Sequence, residues 1–303
     1  MVRRAWLATG IALLPIAALL AAACGGSDFI DPPNPSTKGE GDEAGDGRGP
    51  EGSMLPDTGS LDSDAGASDA DAAQSDADAS FFDSGTAPLL ASLGTAGPFV
   101  VLSGATVTNS GIGTVLIGDV GTTGPTITGL TGPPFQPSGK TEINNARAVT
   151  AVLDVGTAYT TLSGRACPPA NDLTGLDLGG MTLAPGVYCF TSSAGQIAGT
   201  TLTFDAKGDP NAVWVIQVGT ALTVMDNATA VIIGGPPSLG CRIFWTTGTA
   251  VTINGGAHLV GNFLASAGTS LLTGATVVPG RAFGQTGGVT LLSNTVSAAL
   301  CPP

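Results

Sequence analysis

The segments Val251-Thr252-Ile253, Ser270-Leu271-Leu272 and Val289-Thr290-Leu291 follow one another at intervals of 19 residues. The same spacing places Gly261 on Gly280, so a whole unit recurs and not only a tripeptide. A repeat of roughly 20 residues, built from short β-rich runs, is typical of a parallel β-helix whose coils bury their apolar faces on one another. The sequence therefore predicts a β-solenoid with flat sides.

The first part of the chain, residues 1–24, reads as an export signal. Arg3 and Arg4 precede an apolar run from Trp6 to Leu20, which is too short for a stable membrane span. Three alanines then lead to Cys24, as in the signals of bacterial lipoproteins, whose cysteine is lipidated. No Asp follows Cys24, which favours the outer membrane or cell surface. The alternatives are an ordinary signal peptide and a twin-arginine signal.

The second part, residues 25–90, is an acidic spacer. It is dominated by Asp, Ala, Ser, Gly and Pro and holds 15 of the 23 acidic residues. Such a composition cannot bury enough apolar surface to fold, so we expect a disordered linker. Its random-coil span is about 45 Å, enough to lift a domain away from a membrane.

The third part, residues 91–303, is the expected folded domain. It carries 8 acidic and 6 basic residues of the whole chain's net charge of −13. Without a basic patch, nucleic acid is not an expected partner. Nothing in the pattern indicates an oligomer, so a monomer is expected.

Four cysteines of this domain, Cys167, Cys189, Cys241 and Cys301, predict two disulfides in an exported protein. Three pairings are possible, and sequence proximity favours Cys167 with Cys189. The repeat then places Cys301 about three coils from Cys241, or about 14 Å along the stack. Either the C-terminal tail folds back, or the coils are not stacked in sequence order. Zinc is the alternative, but there is no Cys-x-x-Cys and His258 stands alone.

One segment breaks the strand pattern. From Lys140 to Leu162 the spacing predicts an amphipathic helix of about 20 residues. Its predicted packing stripe consists of Ile143, Ala146, Val149, Leu153 and Gly156, with Glu142, Asn145, Arg147 and Asp154 on the other face. A lone helix in a solenoid must pack lengthwise along the coils.

The repeat also assigns interior positions. Val215, Phe244 and Phe263 are predicted to stack inside as an apolar ladder. His258 falls on the position of Val277 and is expected at a corner or in the core.

No catalytic group stands out. The domain has one His, two Lys and eight scattered acids, which form no activated nucleophile or acid–base pair. Asp119, Asp172, Asp177, Asp205 and Asp209 are predicted to cap turns. We expect no enzyme, no metal and no cofactor.

Several motifs in fixed order resemble one known family. They are Leu93-Gly94-Thr95-Ala96-Gly97, Gly118-Asp119-Val120-Gly121, the helix, Leu178 to Tyr188, Ile243-Phe244-Trp245, Thr273 to Val277 and Gly280-Arg281-Ala282. In this order they are similar to the microbial ice-binding proteins of the DUF3494 type, over residues 91–298. The resemblance implies an all-β solenoid, a right-handed discontinuous parallel β-helix with one long α-helix packed alongside. It also implies that the first coil does not stack in sequence order, which would ease the Cys241 to Cys301 pairing.

The resemblance implies that Thr residues on one flat face bind an ice crystal surface. Some family members carry a Thr-Ala/Gly-x-Thr/Asn repeat there, and two coils of this chain match it. The candidate residues are Thr220, Thr223, Thr249, Thr252, Thr269, Ser270 and Thr290. The last two coils break the pattern, which favours the alternative of a non-enzymatic surface adhesin or structural module that binds polysaccharide or protein.

Overall fold

The computed structural model describes residues 90–130, 138–191 and 193–301. The predicted signal peptide with Cys24, and the predicted linker up to residue 89, lie outside the described residues.

Six short strands precede a single long helix. The strands are β1 (Phe99–Ser103), β2 (Thr106–Asn109), β3 (Val115–Ile117), β4 (Asp119–Thr122), β5 (Thr126–Thr128) and β6 (Thr141–Ile143), and the helix is α1 (Ala146–Ser163). Three short 3-10 helices lie at Gly94–Ala96, Pro169–Asn171 and Pro237–Arg242.

The remaining strands follow the helix. They are β7 (Thr182–Leu183), β8 (Gly186–Phe190), β9 (Gly195–Ile197), β10 (Thr201–Asp205), β11 (Trp214–Val218), β12 (Leu222–Val224), β13 (Thr229–Ile233), β14 (Ile243–Thr247), β15 (Val251–Ile253), β16 (His258–Ala265), β17 (Thr269–Leu271), β18 (Thr276–Gly284), β19 (Val289–Leu291) and β20 (Thr295–Ser297). Short strands with Gly- and Asn-containing turns are what the sequence predicts.

The strands form three faces, and every strand pair is parallel. One face, called the Thr face, is a seven-stranded sheet with the order β5-β2-β19-β17-β15-β12-β9. A thirteen-stranded sheet supplies the helix face, β8-β11-β14-β16-β18-β1-β4-β6, and the third face, β7-β10-β13-β16-β18-β20-β3. Strand β18 belongs to both, because it pairs with β20 through Thr276 and Val277 and with β1 through Ala282 to Gly284.

The chain does not stack its coils in the order in which they occur. Strands β1, β2 and β3 pair with β18, β19 and β20, so the first coil rests on the last one. Strands β4, β5 and β6 continue beyond it. Helix α1 then lies along the helix face, and the chain builds the remaining coils from β7 to β20. The predicted discontinuous parallel β-helix with one helix alongside is confirmed.

Helix α1 begins later than the sequence predicts. Residues Thr141–Ile143 pair with β4 as a strand instead of forming the first helical turn. Asn144 then adopts a positive φ of 45°, and Asn145 caps the helix by accepting a hydrogen bond from the Ala148 amide at 3.0 Å. The helix ends at Gly164, one residue beyond Ser163.

The predicted packing stripe of α1 is wrong. Ile143, Val149 and Leu153 are exposed, Leu153 by 66%. The face that packs consists of Ala148, Ala151, Val155, Ala158 and Leu162. It packs on outward side chains of the helix face, such as Phe99, Phe244 and Phe283. Large aromatic side chains on the sheet leave room only for small residues on the helix, so the alanines mark the interface.

The predicted interior ladder contains a shift of one residue. Val215 pairs with Phe244, and both point outward to α1. Phe263 instead pairs with Trp245, and their rings stack inside the solenoid with centroids 5.4 Å apart. All three predicted residues are buried, but neighbouring strand positions face opposite sides of a sheet. Phe263 is therefore interior, whereas Val215 and Phe244 lie under the helix.

Both disulfides are present, Cys167 with Cys189 and Cys241 with Cys301. The coils between Cys241 and Cys301 do stack in sequence order, so coil order does not bring this pair together. Instead, the 3-10 helix that carries Cys241 lies across β16 and β18. A Cβ added at Gly240 would be 2.7 Å from Cγ of Pro279, which shows how closely this loop approaches β18.

We expect Leu162→Ala to lower the free energy of unfolding by about 2–5 kcal/mol, because it removes a fully buried side chain. The matched change Leu153→Ala is expected to stay within about 0.5 kcal/mol. Urea unfolding of both variants measures the difference. Equal costs would show that the helix packs through the other stripe.

We expect the loss of Cys241–Cys301 to destabilise the domain more than the loss of Cys167–Cys189. The two bonds span sequence separations of 60 and 22 residues. Loop-closure entropy then predicts costs of about 4 and about 3 kcal/mol. Urea unfolding of the two double Cys→Ala variants tests this order, which the reverse ranking would contradict.

Candidate functional site

The Thr face carries one unbroken row of polar side chains, called the Thr column. The strand registers align these residues across all seven strands. In spatial order they are Gln196, Thr223, Thr252, Ser270, Thr290, Thr108 and Thr128. Six hydroxyl-bearing residues therefore follow one another, one on each successive strand.

The alternation of each strand directs this column to the outside. In β12, for example, Leu222 and Val224 are fully buried while Thr223 between them is half-buried. The same pattern holds in β15, where Thr252 lies between buried Val251 and Ile253. Period-2 alternation is what a sheet with one face on the core requires.

The six hydroxyls of the Thr column make no hydrogen bond to another group in the described part of the chain. Other threonines differ in this respect. On α1, Thr150 and Thr157 donate to the carbonyls of Ala146 and Leu153, four residues earlier. The Thr column is thus free to interact with water or with a bound surface.

The row beside the Thr column consists of small residues on four strands. The amides of Leu222, Val251 and Thr269 donate to the carbonyls of Ala250, Gly268 and Gly288, respectively, which aligns these residues along the stack. A Cβ at Gly268 would be 2.5 Å from the carbonyl oxygen of Gly288, so a larger residue does not fit there. The row ends in Thr106 and Thr126 on β2 and β5. Small side chains keep this part of the face flat.

Four of the predicted site residues belong to the Thr column: Thr223, Thr252, Ser270 and Thr290. Thr220 and Thr249 are exposed and lie at the adjoining corner, where the Thr249 amide donates to the Thr220 carbonyl at 3.0 Å. The two corner residues are aligned with each other but not with the column.

Thr269 was predicted on this face, and that prediction is wrong. Its residue is 1% exposed, and its hydroxyl donates to the Phe283 carbonyl at 2.8 Å. The cause is the local coil length, because Val251 pairs with Thr269 at 18 residues and not with Ser270 at 19. The shift turns Thr269 inward and places Ser270 in the column.

The sequence analysis missed the part of the face that the first coils supply. Thr106 and Thr108 on β2 and Thr126 and Thr128 on β5 extend the face beyond β19. The alternation Thr-Val-Thr and Thr-Ile-Thr was visible in the sequence. What was missing is the stacking of these strands on the last coil, which no local pattern reveals.

The third face also carries threonines, but they bond to one another. The hydroxyls of Thr201 and Thr229 lie 2.7 Å apart. His258 is exposed and its Nδ1 lies 2.9 Å from the Thr276 hydroxyl, so the expected corner or core position of this histidine is wrong. A register shift between Leu259 and Gly261 aligns His258 with Thr276 and not with Val277.

Large apolar side chains are also exposed on the third face. They include Val115, Ile117, Val231, Ile233 and Val278, each between 39% and 46% exposed. This face therefore mixes paired hydroxyls, an imidazole and apolar groups, and it differs in chemistry from the Thr face.

The acidic side chains serve mainly as turn caps, as predicted. Asp172 accepts hydrogen bonds from the amide and hydroxyl of Thr174, which hold the pKa of its carboxyl below the ordinary value. Asp177, Asp205 and Asp209 accept amide hydrogen bonds in the same way.

Asp119 has a second role, because it accepts the Lys140 amide and also pairs with Arg147. Arg147 in turn pairs with Glu142 and lies over the Phe99 ring at 4.8 Å. The pKa of Glu142 is lowered by hydrogen bonds from Asn145 and Arg147. These contacts fasten the start of α1 to β4.

In the described ranges, no three His, Cys, Asp or Glu side chains come together as a metal site would require. Nor does any helix there have the length and apolar character needed to cross a membrane.

Comparison with known proteins agrees with this geometry. The family model described as ice-binding-like matches residues 101–297. An ice-binding protein of Nostoc sp. (strain HG1) is 41% identical over 214 residues, which cover 70% of this chain and 76% of that protein.

Solved structures with the same fold include an ice-binding protein of the Antarctic ascomycete Antarctomyces psychrotrophicus. It has a TM-score of 0.62 and 35% identity, and the match covers 68% of this chain and 97% of that one. An ice-binding protein from an Antarctic biological consortium gives a TM-score of 0.64 and 35% identity over 70% of this chain and 91% of that one. The family model spans well over half of the sequence, and this chain belongs to the ice-binding-like family.

Proposed function

We propose that this protein adsorbs to ice crystals through the Thr face. The observation that carries the proposal is the Thr column, six unbonded hydroxyls in register on successive strands. The membership of the family supports it, since the Nostoc relative and both structural neighbours are ice-binding proteins by name.

The spacing of the column suits a crystalline surface. Neighbouring strands in a sheet lie about 4.8 Å apart, so the hydroxyls repeat at that interval along the solenoid. Each Thr also presents a methyl group next to its hydroxyl. A regular row of both groups can hold water in fixed positions, and a crystal lattice can then include that water.

Rigidity lowers the cost of adsorption. The β-branched Thr side chain has few rotamers, and it is further fixed by its neighbours in the sheet. Long side chains such as Lys or Glu would lose more rotamer entropy on binding. The seven strands of the Thr face contain none of Asp, Glu, Lys or Arg.

The mechanism is adsorption and not catalysis. The carboxylates described above are engaged in turn caps and in the contacts of α1, away from the Thr column. The alternative function, an adhesin for polysaccharide or protein, rested on a broken Thr pattern. The hydroxyl row is continuous once the strands are aligned, so that argument loses its basis.

We also propose that the domain is exported and held at the outer membrane or cell surface as a monomer. Residues 1–24 would serve as a lipoprotein signal, Cys24 as the lipidated residue, and residues 25–90 as the spacer that carries the domain. The two disulfides fit an oxidising compartment outside the cytoplasm. A tethered ice binder would hold a cell against ice.

We expect Thr252→Tyr to abolish most of the thermal hysteresis and the faceting of a single ice crystal grown in the purified protein. A bulky ring in the middle of the Thr column keeps water and the crystal away from its neighbours. Tyr is well accepted in strands, so the free energy of unfolding should change by no more than about 0.5 kcal/mol.

The matched control is Thr229→Tyr on the third face, which should keep the wild-type faceting. If Thr229→Tyr abolishes faceting and Thr252→Tyr does not, the third face is the binding surface. If the wild type leaves ice as smooth discs, ice binding is rejected and the adhesin remains.

We expect Cys24→Ser to move the protein from the membrane fraction to the soluble exported fraction. The acyl chains on Cys24 supply the membrane affinity, since no other lipid attachment is proposed. Fractionation with detergent-phase partition measures the change, and mass spectrometry of the mature N-terminus identifies the acylated residue. Unchanged membrane retention of Cys24→Ser would contradict the anchor.

A further inference from the structure

A cavity of about 410 Å³ lies away from the Thr face, where three separate parts of the chain meet. Its walls come from the residues that lead into β1, from the 3-10 helix Pro237–Arg242, and from the disulfide-bonded Cys301. Leu90, Leu239 and Phe244 make much of the wall apolar. The cavity is thus formed by the closure of the first coil on the later ones.

Arg281 lines this cavity and is almost fully buried, with 3% exposure. Its Nε and Nη2 donate to the Gly97 carbonyl at 3.0 and 2.6 Å, and its Nη1 donates to Asn262 Oδ1 at 2.8 Å. Asn262 is oriented by its own bonds to the carbonyls of Cys241 and Ile243. The guanidinium is therefore held firmly by neutral groups.

The charge of Arg281 is not balanced by the described residues. The ion pairs found in them join Arg147 to Asp119 and Glu142, and Lys207 to Asp205. Burial lowers the pKa of Arg281 to about 10, which leaves it charged at neutral pH. A buried charge without an opposite charge is costly, and proteins ordinarily pair it.

The surroundings of the cavity add a second positive charge and no negative one. Arg242 also lines it, with its Nη1 bonded to the Asn211 carbonyl at 3.1 Å. Ser92 and Ser238 supply hydroxyls, and no Asp or Glu belongs to the lining. The wall is thus complementary to an anion.

Guanidinium chemistry narrows the kind of anion. An Arg side chain has five N–H donors, and the three bonds to Gly97 and Asn262 leave one on Nη1 and one on Nη2. A carboxylate accepts from both terminal nitrogens of one guanidinium. The apolar part of the wall suits a short hydrocarbon body attached to that carboxylate.

We propose that this cavity binds a carboxylate carried on a short apolar body, with Arg281 as its charged partner and Arg242 beside it. Two sources share this chemistry. One is a free aliphatic carboxylate, and the other is a carboxylate of this chain. The acidic residue nearest before Leu90 in the sequence is Asp83.

The test is an NMR titration of the full-length protein with carboxyl-labelled butyrate, with butylammonium as the probe of opposite charge. We expect saturable binding of butyrate and none of butylammonium. Arg281→Lys keeps a charge but loses the planar fork, and it should weaken binding about tenfold. Lys140→Gln, which removes a charge elsewhere, should leave binding unchanged.

Arg281 also holds Gly97, so its variant requires a folding check by thermal unfolding. Ser238→Trp is the second variant, because it fills the cavity and leaves the guanidinium in place. It should abolish butyrate binding in a folded protein. Butyrate binding by Ser238→Trp that equals that of the wild type would overturn the proposal.

The variant Asp83→Asn separates the two sources. Equal binding of butyrate by the wild type and by this variant identifies a free carboxylate as the ligand. Binding by Asp83→Asn but not by the wild type identifies the chain's own Asp83 as the occupant. Binding by neither protein overturns the proposal.

Discussion

The parallel pairing of the first coil with the last coil is the constraint on which the structure depends. Because β1, β2 and β3 add to β18, β19 and β20, the final coil has a partner on both sides and is not an open edge. The chain must then return along the solenoid to begin the other coils, and α1 does so over the helix face. The long helix, its alanine-rich interface and the extension of the Thr face by β2 and β5 all follow from this one closure.

The sequence predicts the type of fold because the repeat records a physical requirement of every coil. Gly261 does pair with Gly280, as the 19-residue interval implies. Coil length is not constant, however, and the interval between Val251 and Thr269 is 18 residues. A single residue reverses which side of the sheet a side chain faces. That is why Thr269, His258 and Phe263 were misplaced although their strands were recognised.

The helix shows a different limit of sequence reading. Hydrophobic size selects Val149 and Leu153 as the packing stripe, but the sheet beneath already supplies the large side chains, Phe99, Phe244 and Phe283. Only knowledge of the partner surface identifies Ala148 and Ala151 as the buried positions. The Thr face is limited in the same way, because half of its breadth depends on which strands become neighbours and not on any local motif.

The position of β1 also determines how the domain responds to force. The chain enters the domain at Leu90 and leads directly to β1, yet β1 is not an edge strand, because it lies between β4 and β18. A pull on the chain before Leu90 therefore acts on a strand with a hydrogen-bonded neighbour on each side, and near it Thr95 is bonded to Asp154 of α1. Peeling such a strand must break two ladders together, so the point of attachment is mechanically one of the better protected parts of the solenoid.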